Sequence, residues 1–138
     1  MATIFEKIIN REIPAYIVYE DDLVIAFLDI SQATQGHTLV VPKEAYKDIY
    51  EMPETVLGHT MRIVSRISKA CQKAFDIEGL NLLSNNGAYA GQTVFHFHFH
   101  VIPRFLEDGV SMKFPNHMND MTVDGYKKRA LMIKEALL

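Results

Sequence analysis

Short apolar runs near residues 16–19, 23–28, 37–41, 80–84 and 95–102 have the length and the bounding turns of β-strands. The first two are joined by the turn-prone Glu20-Asp21-Asp22. Between 53 and 75 the period changes. Leu57, Val64, Ile67, Cys71 and Ala74 share one face of a helix that Pro53 can open. A short helix near 4–9 begins at Thr3-Ile4-Phe5-Glu6, which reads as a capping box. Residues 105–120 are irregular, with Pro115 and Asn116. Helical spacing returns from about Thr122 through Tyr126, Ala130, Ile133 and Leu137. Mostly hairpin-linked strands with one major helix between them predict an α+β fold. It comprises an antiparallel sheet of about five strands, one long and one short helix, and a C-terminal helix, in one domain spanning 1–138.

The run Phe95-His96-Phe97-His98-Phe99-His100-Val101 alternates aromatic or apolar residues with histidine. On a strand this puts the three imidazoles on one face and the aromatics on the other, where burial would anchor them. Each imidazole can give or take a hydrogen bond and can change charge near neutral pH. Half of the six histidines fall within five residues, which argues against chance placement on a surface strand. His59, on the long helix, and His117 read as ordinary surface residues.

Two chemistries suit the histidine row. His-x-His can supply two ligands to zinc, which takes four in a tetrahedron. Same-face neighbours on a strand lie about 6.8 Å apart, so three in a row converge awkwardly on one ion. The single cysteine, Cys71, falls in the helical pattern, and the next carboxylate after the row is Glu107. The other chemistry is attack on a phosphate ester by a neutral imidazole, with flanking imidazoles donating to phosphate oxygens. His98, with a histidine on each side, is then the nucleophile. Ser84-Asn85-Asn86-Gly87-Ala88-Tyr89-Ala90-Gly91-Gln92-Thr93-Val94, just upstream, suits a tight loop exposing backbone N–H groups, although an ordinary hairpin connection has the same composition.

Composition narrows the partners. The 138 residues are 49% hydrophobic, enough for one globular core. A net charge of −3 without a basic run argues against a nucleic-acid polymer as main partner. One cysteine excludes an internal disulfide framework and fits a reducing cytoplasm. No secretory signal and no apolar run of membrane-spanning length is present in the sequence.

Gly91-Gln92-Thr93-Val94-Phe95-His96-Phe97-His98-Phe99-His100-Val101-Ile102 resembles the signature of the histidine triad superfamily, near its nucleotide-binding Hint branch. Ile4–Ile9, Ile13-Pro14-Ala15, Tyr19–Asp22, Ala26–Ile30 and Gly36–Lys43 resemble further family blocks, so the likeness covers about 3–104. The remainder, about 105–138, is a C-terminal extension. The resemblance implies that His98 attacks the α-phosphorus of a purine nucleotide conjugate and carries the nucleotidyl group transiently. It places His96, His100 and His37 on the phosphate and Gln92 and Thr93 near the leaving group. Asp29 would hold the ribose hydroxyls, Asn85 would lie beside the phosphate, Gly91 would join the substrate-binding residues, and Ile4, Phe5, Ile8, Phe27 and Ile30 would line a purine pocket. For these apolar positions ordinary packing is the stronger reading. For Asp29 and His37, which interrupt apolar stretches, function is.

A nucleoside phosphoramidate is the implied substrate. Dinucleoside polyphosphates are the alternative, because Pro103-Arg104 after the triad also occurs in their hydrolases. A non-catalytic nucleotide-binding module is the second alternative. The family likeness also implies a homodimer whose two sheets join. Many bacterial relatives bind structural zinc through Cys-x-x-Cys and a later histidine. Here those positions hold Thr3, Glu6 and Ala45, so no metal and no cofactor are expected.

Overall fold

The computed structural model describes residues 2–138. Helix α1 spans Ile4–Ile9, and its capping box is present: Thr3 Oγ1 accepts from the Glu6 N–H, and Glu6 accepts from the Thr3 N–H. Strands β1 (Ile17–Glu20), β2 (Val24–Leu28), β3 (Thr38–Pro42), β4 (Gly79–Leu83) and β5 (Phe99–Arg104) form an antiparallel sheet in the order β1-β2-β3-β5-β4. Helix α2 (Glu54–Ala74) connects β3 to β4, and α3 (Val123–Ala136) follows the irregular segment. Among the described residues no helix is long and apolar enough to cross a membrane.

The sheet separates two apolar clusters. Val24, Ala26, Val40, Phe97, Phe99 and Val101 pack beneath α2 against Ile63, Val64, Ile67 and Cys71. Ile25, Phe27, Leu39 and Val41 pack with Phe5 and Ile8 of α1 on the opposite side. Alternate residues of β2 and β3 therefore serve different clusters, which is why both strands are apolar throughout. On α2 the buried stripe is Thr60, Ile63, Val64, Ile67 and Cys71. Ala74, expected on that face, is exposed at the helix end, and Phe75 packs against the cluster instead. His59 is not a plain surface residue. Its Nε2 lies 2.7 Å from Asp21 Oδ2, which also accepts from the Tyr19 hydroxyl, so it ties α2 to the β1–β2 turn.

β5 begins at Phe99, four residues later than the expected start at 95. Pairing with β3 stops at Val40–Phe99. The cause is local. The Pro42 carbonyl is taken by His96 Nε2 at 2.7 Å, and Pro42 has no N–H with which to continue the ladder. The Phe97 N–H turns instead to the Tyr46 carbonyl, at 2.7 Å. The expected alternation of faces survives beyond the ladder, since Phe97 and Phe99 meet edge-on beneath α2 while Phe5 meets His96 and His98 on the other side. Phe95 departs from its expected burial and is 43% exposed.

Candidate active site

Between α1 and the sheet lies a cleft of about 410 Å³. Apolar side chains line part of it, among them Ile4, Phe5, Ile8 and Phe27, with Ile30 at the largely exposed rim. Asp29, Asn85, Gly91, Thr93, His98 and His100 supply its polar wall. Ile13, Pro14, Ala15, Tyr16, Leu28, Ser31, Leu39 and Val94 join the lining without having been named as site residues from sequence. The signal that could have found most of them is their place in the family-like blocks, while Leu39 is seen to share the side of His100 only once β3 is paired with β5.

Three residues expected at the phosphate or leaving group lie behind the cleft instead. His96 is fully buried; Nε2 reaches the Pro42 carbonyl and Nδ1 lies 3.4 Å from Thr3 Oγ1. Gln92 is buried as well. Its amide donates to the Lys47 and Val94 carbonyls and accepts from the Gly87 N–H. His37 is buried between the Ala33 N–H and His100. These three shape the site without lining it. The upstream loop likewise differs from an exposed amide cradle: the Gly87, Ala90, Gly91 and Gln92 N–H groups all bond within the loop. Gly87 and Gly91 both sit at positive φ, which glycine adopts without strain and which closes this turn.

Hydrogen-bond partners assign the imidazole tautomers. His98 Nδ1 lies 2.7 Å from the His96 carbonyl, an acceptor, so Nδ1 carries the proton and Nε2 keeps its lone pair. His37 is the reverse case. Its Nδ1 accepts from the Ala33 N–H at 3.1 Å, leaving the proton on Nε2, 2.9 Å from His100 Nδ1. His100 must then hold its own proton on Nε2. Two adjacent imidazoles of the cleft are thus held in opposite tautomers, one with an unprotonated Nε2 and the other with an Nε2–H.

Burial keeps them neutral. It pushes the pKa values of His37, His96 and His98 below the ordinary imidazole value, and that of His100 down to about 4. For His100 the neighbouring His98 and His37 add to the effect. Unfolding would let each of these groups protonate near pH 6.5, so their contribution to stability is full above that pH and is lost as pH falls toward the folded values. We expect the melting temperature to drop between about pH 6.5 and pH 4. The neutral His98 should persist below the ordinary imidazole range, and with it the rate of any reaction it initiates. Thermal scans and rate profiles over that range check both; a melting temperature that rises on acidification contradicts the assignment.

Asp29, His37 and His100 bring one ligating atom each within 4.8 Å of the others, a grouping that could surround a metal ion. The outer contacts do not suit one. A metal-bound imidazole normally donates through its second nitrogen, whereas His37 Nδ1 faces an N–H donor. Coordination at Nε2 would then require an imidazolate. The zinc positions of bacterial relatives fit no better, since His96 meets the Thr3 hydroxyl there rather than a thiolate-bound ion.

Fold and cleft together define an α+β domain with a cleft that joins an apolar lining to a polar wall carrying two histidines. The HIT domain model matches residues 10–107, and the chain belongs to the histidine triad family, near its Hint branch. A HIT family protein from Bacillus anthracis superposes with a TM-score of 0.93 at 45% identity, covering 96% of this chain and 95% of that one. Adenosine 5'-monophosphoramidase HNT1 of Saccharomyces cerevisiae is 36% identical over 134 residues, 96% of this chain and 82% of that protein. Adenylylsulfatase HINT3 of Arabidopsis thaliana is 44% identical over 105 residues, 76% of this chain and 53% of that protein.

Proposed function

We propose that this protein is a nucleotide hydrolase or transferase that cleaves at the α-phosphate of a purine nucleoside phosphoramidate. The observation that carries this is the His98 tautomer, with Nδ1–H on the His96 carbonyl and an Nε2 lone pair available in a half-apolar cleft. In the first step Nε2 forms a bond to phosphorus as the bond to the leaving amine breaks. The leaving nitrogen takes up a proton from solvent as that bond breaks, and the hydrolytic water of the second step returns one, while His100 Nε2–H and the Thr93 hydroxyl in the lining can hydrogen-bond the reacting group. Water then breaks the N–P bond and releases the nucleotide. His100 stabilises the charge that develops on phosphorus oxygens. Asp29 accepts from the Ser31 N–H through Oδ1, leaving Oδ2 to meet a ribose diol.

The names of the two relatives support an adenylyl group with a variable leaving group: an amine for the monophosphoramidase, sulfate for the adenylylsulfatase. Arg104 does not favour the dinucleoside polyphosphate alternative. Its guanidinium is engaged by Asp108 and Asn81 and does not line the cleft. The cleft volume also lies toward the lower part of the range of about 300–1,000 Å³ for small-molecule sites, suited to one nucleoside and its phosphate. A turnover panel tests the reading, pairing adenosine with guanosine and phosphoramidate with diadenosine polyphosphate. Phosphoramidate should be cleaved fastest. Nucleotide binding without any turnover would replace this reading with the non-catalytic module.

We also propose that the protein works as a homodimer. No residue of α3 is buried, and Val123, Tyr126, Leu131, Ile133 and Leu137 are each more than half exposed. Outer strand β4 adds Leu82, 47% exposed. Ile133→Glu with Leu137→Glu should shift the sedimentation of the protein from dimer to monomer. A wild-type chain that sediments as a monomer at micromolar concentration contradicts the proposal.

A further inference from the structure

We propose that Gln32 is a positioning residue, fixing the His37–His100 pair in the tautomers that turn a proton toward the substrate phosphate; this rests on the hydrolase reading above. Gln32 is exposed and does not line the cleft. Its side-chain amide nevertheless makes three bonds. Nε2 donates to the carbonyls of Asp29, at 2.6 Å, and His37, at 2.7 Å, while Oε1 accepts from the Gly36 N–H at 2.8 Å. One planar group therefore joins both ends of the turn from 29 to 37. The side chains of those two ends approach each other behind the polar wall, with His37 Nε2 3.6 Å from Asp29 Oδ2.

The next peptide N–H in the chain, that of Ala33, faces His37 Nδ1. A donor there excludes a proton from Nδ1, puts it on Nε2, and so obliges His100 to accept at Nδ1 and to carry its proton on Nε2. The orientation of one main-chain N–H thus decides what His100 offers the cleft. If His100 took the other tautomer, its Nε2 lone pair would face phosphate oxygens and repel them. Gln32 holds the peptide that prevents this.

The turn does not depend on Gln32 for closure. The Asp29 N–H donates to the His37 carbonyl, the His37 N–H to the Thr34 carbonyl, and the buried Thr34 hydroxyl to the Pro103 carbonyl. Truncating Gln32 removes three bonds that brace the turn carrying the Ala33 N–H and opens no apolar core. The effect should fall on tautomer populations rather than on the fold.

The experiment is long-range nitrogen–proton NMR of full-length protein labelled with ¹⁵N-histidine, read beside steady-state kinetics on an adenosine phosphoramidate. In the wild type, His37 and His100 should both show protonated Nε2 and unprotonated Nδ1. In Gln32→Ala both tautomers of His100 should be populated, with kcat down about tenfold to a hundredfold and KM little changed. Gln32→Glu retains the acceptor toward Gly36 but removes both donors, and should behave like the alanine variant. Unchanged His100 tautomers in these variants overturn the proposal whatever the rate does. Mixed tautomers with full kcat overturn it too. Failure of the wild type to turn over would count against the hydrolase reading, while the nitrogen spectra would still decide whether Gln32 sets the tautomers.

Discussion

His98→Ala should lower turnover of an adenosine phosphoramidate by at least about 10⁴-fold, the scale seen when a covalent nucleophile is removed. No neighbour can substitute. His96 has both nitrogens engaged behind the cleft, and the Nδ1 of His100 faces His37. The alanine variant also leaves the His96 carbonyl without its donor, at a stability cost of about 1–3 kcal/mol. His98→Asn is the companion, because its side-chain amide can donate to that carbonyl while offering no nucleophile. Both variants should keep nucleotide affinity within a small factor in equilibrium binding. Rapid-quench kinetics on the wild type should show a burst, with one nucleotidyl group per chain by mass spectrometry of the quenched protein. Near-normal single-turnover cleavage by His98→Asn would sink the covalent mechanism.

Phe5→Ala should be the most destabilising single change in the cleft wall. Phe5 is 5% exposed and meets three rings edge-on, with centroids 5.5 Å from Phe27, 5.7 Å from His96 and 4.9 Å from His98. Removing a buried phenyl costs about 3–5 kcal/mol through lost transfer and the cavity left behind. The change should also raise KM more than it lowers kcat, because the ring forms part of the apolar lining. Phe5→Leu preserves most of the volume and should lose about half as much or less. Urea titration of the two variants beside the wild type measures the difference. A loss under about 1 kcal/mol for the alanine variant would show that the site collapses freely around the missing ring. Packing and ligand contact were competing readings of Phe5 in the sequence; in the structure one ring belongs to both the core cluster and the cleft lining.

Local chemistry was legible where it acts over a few residues. Thr3 and Glu6 announce the start of α1, Pro53 caps α2, and the His-Phe alternation predicts opposite faces that persist even where the ladder has ended. Long-range competition for main-chain groups was not legible. The late start of β5 follows from the Pro42 carbonyl being claimed by a side chain 54 residues away. Partners 45 to 93 positions away likewise hide part of the buried commitments of His96, His37 and Gln92, each a reasonable ligand contact until those partners are known. Gln32 had no signal at all, because three bonds to main-chain atoms leave no trace in the spacing of residue types.

The contacts that hold the histidines in place also impose an order on biosynthesis. Thr3 meets His96 across 93 positions, His37 meets His100 across 63, and Thr34 reaches Pro103 across 69. Helix α1 leaves the ribosome early but has no triad to rest against until nearly three-quarters of the chain has been made. Such long loops must close before their contacts return any stabilisation. A nascent chain interrupted before β5 can pair only β1, β2 and β3, and leaves β4 without its neighbour. The protein acquires the power to cleave a nucleotide bond only when its first helix and its last strand have found each other.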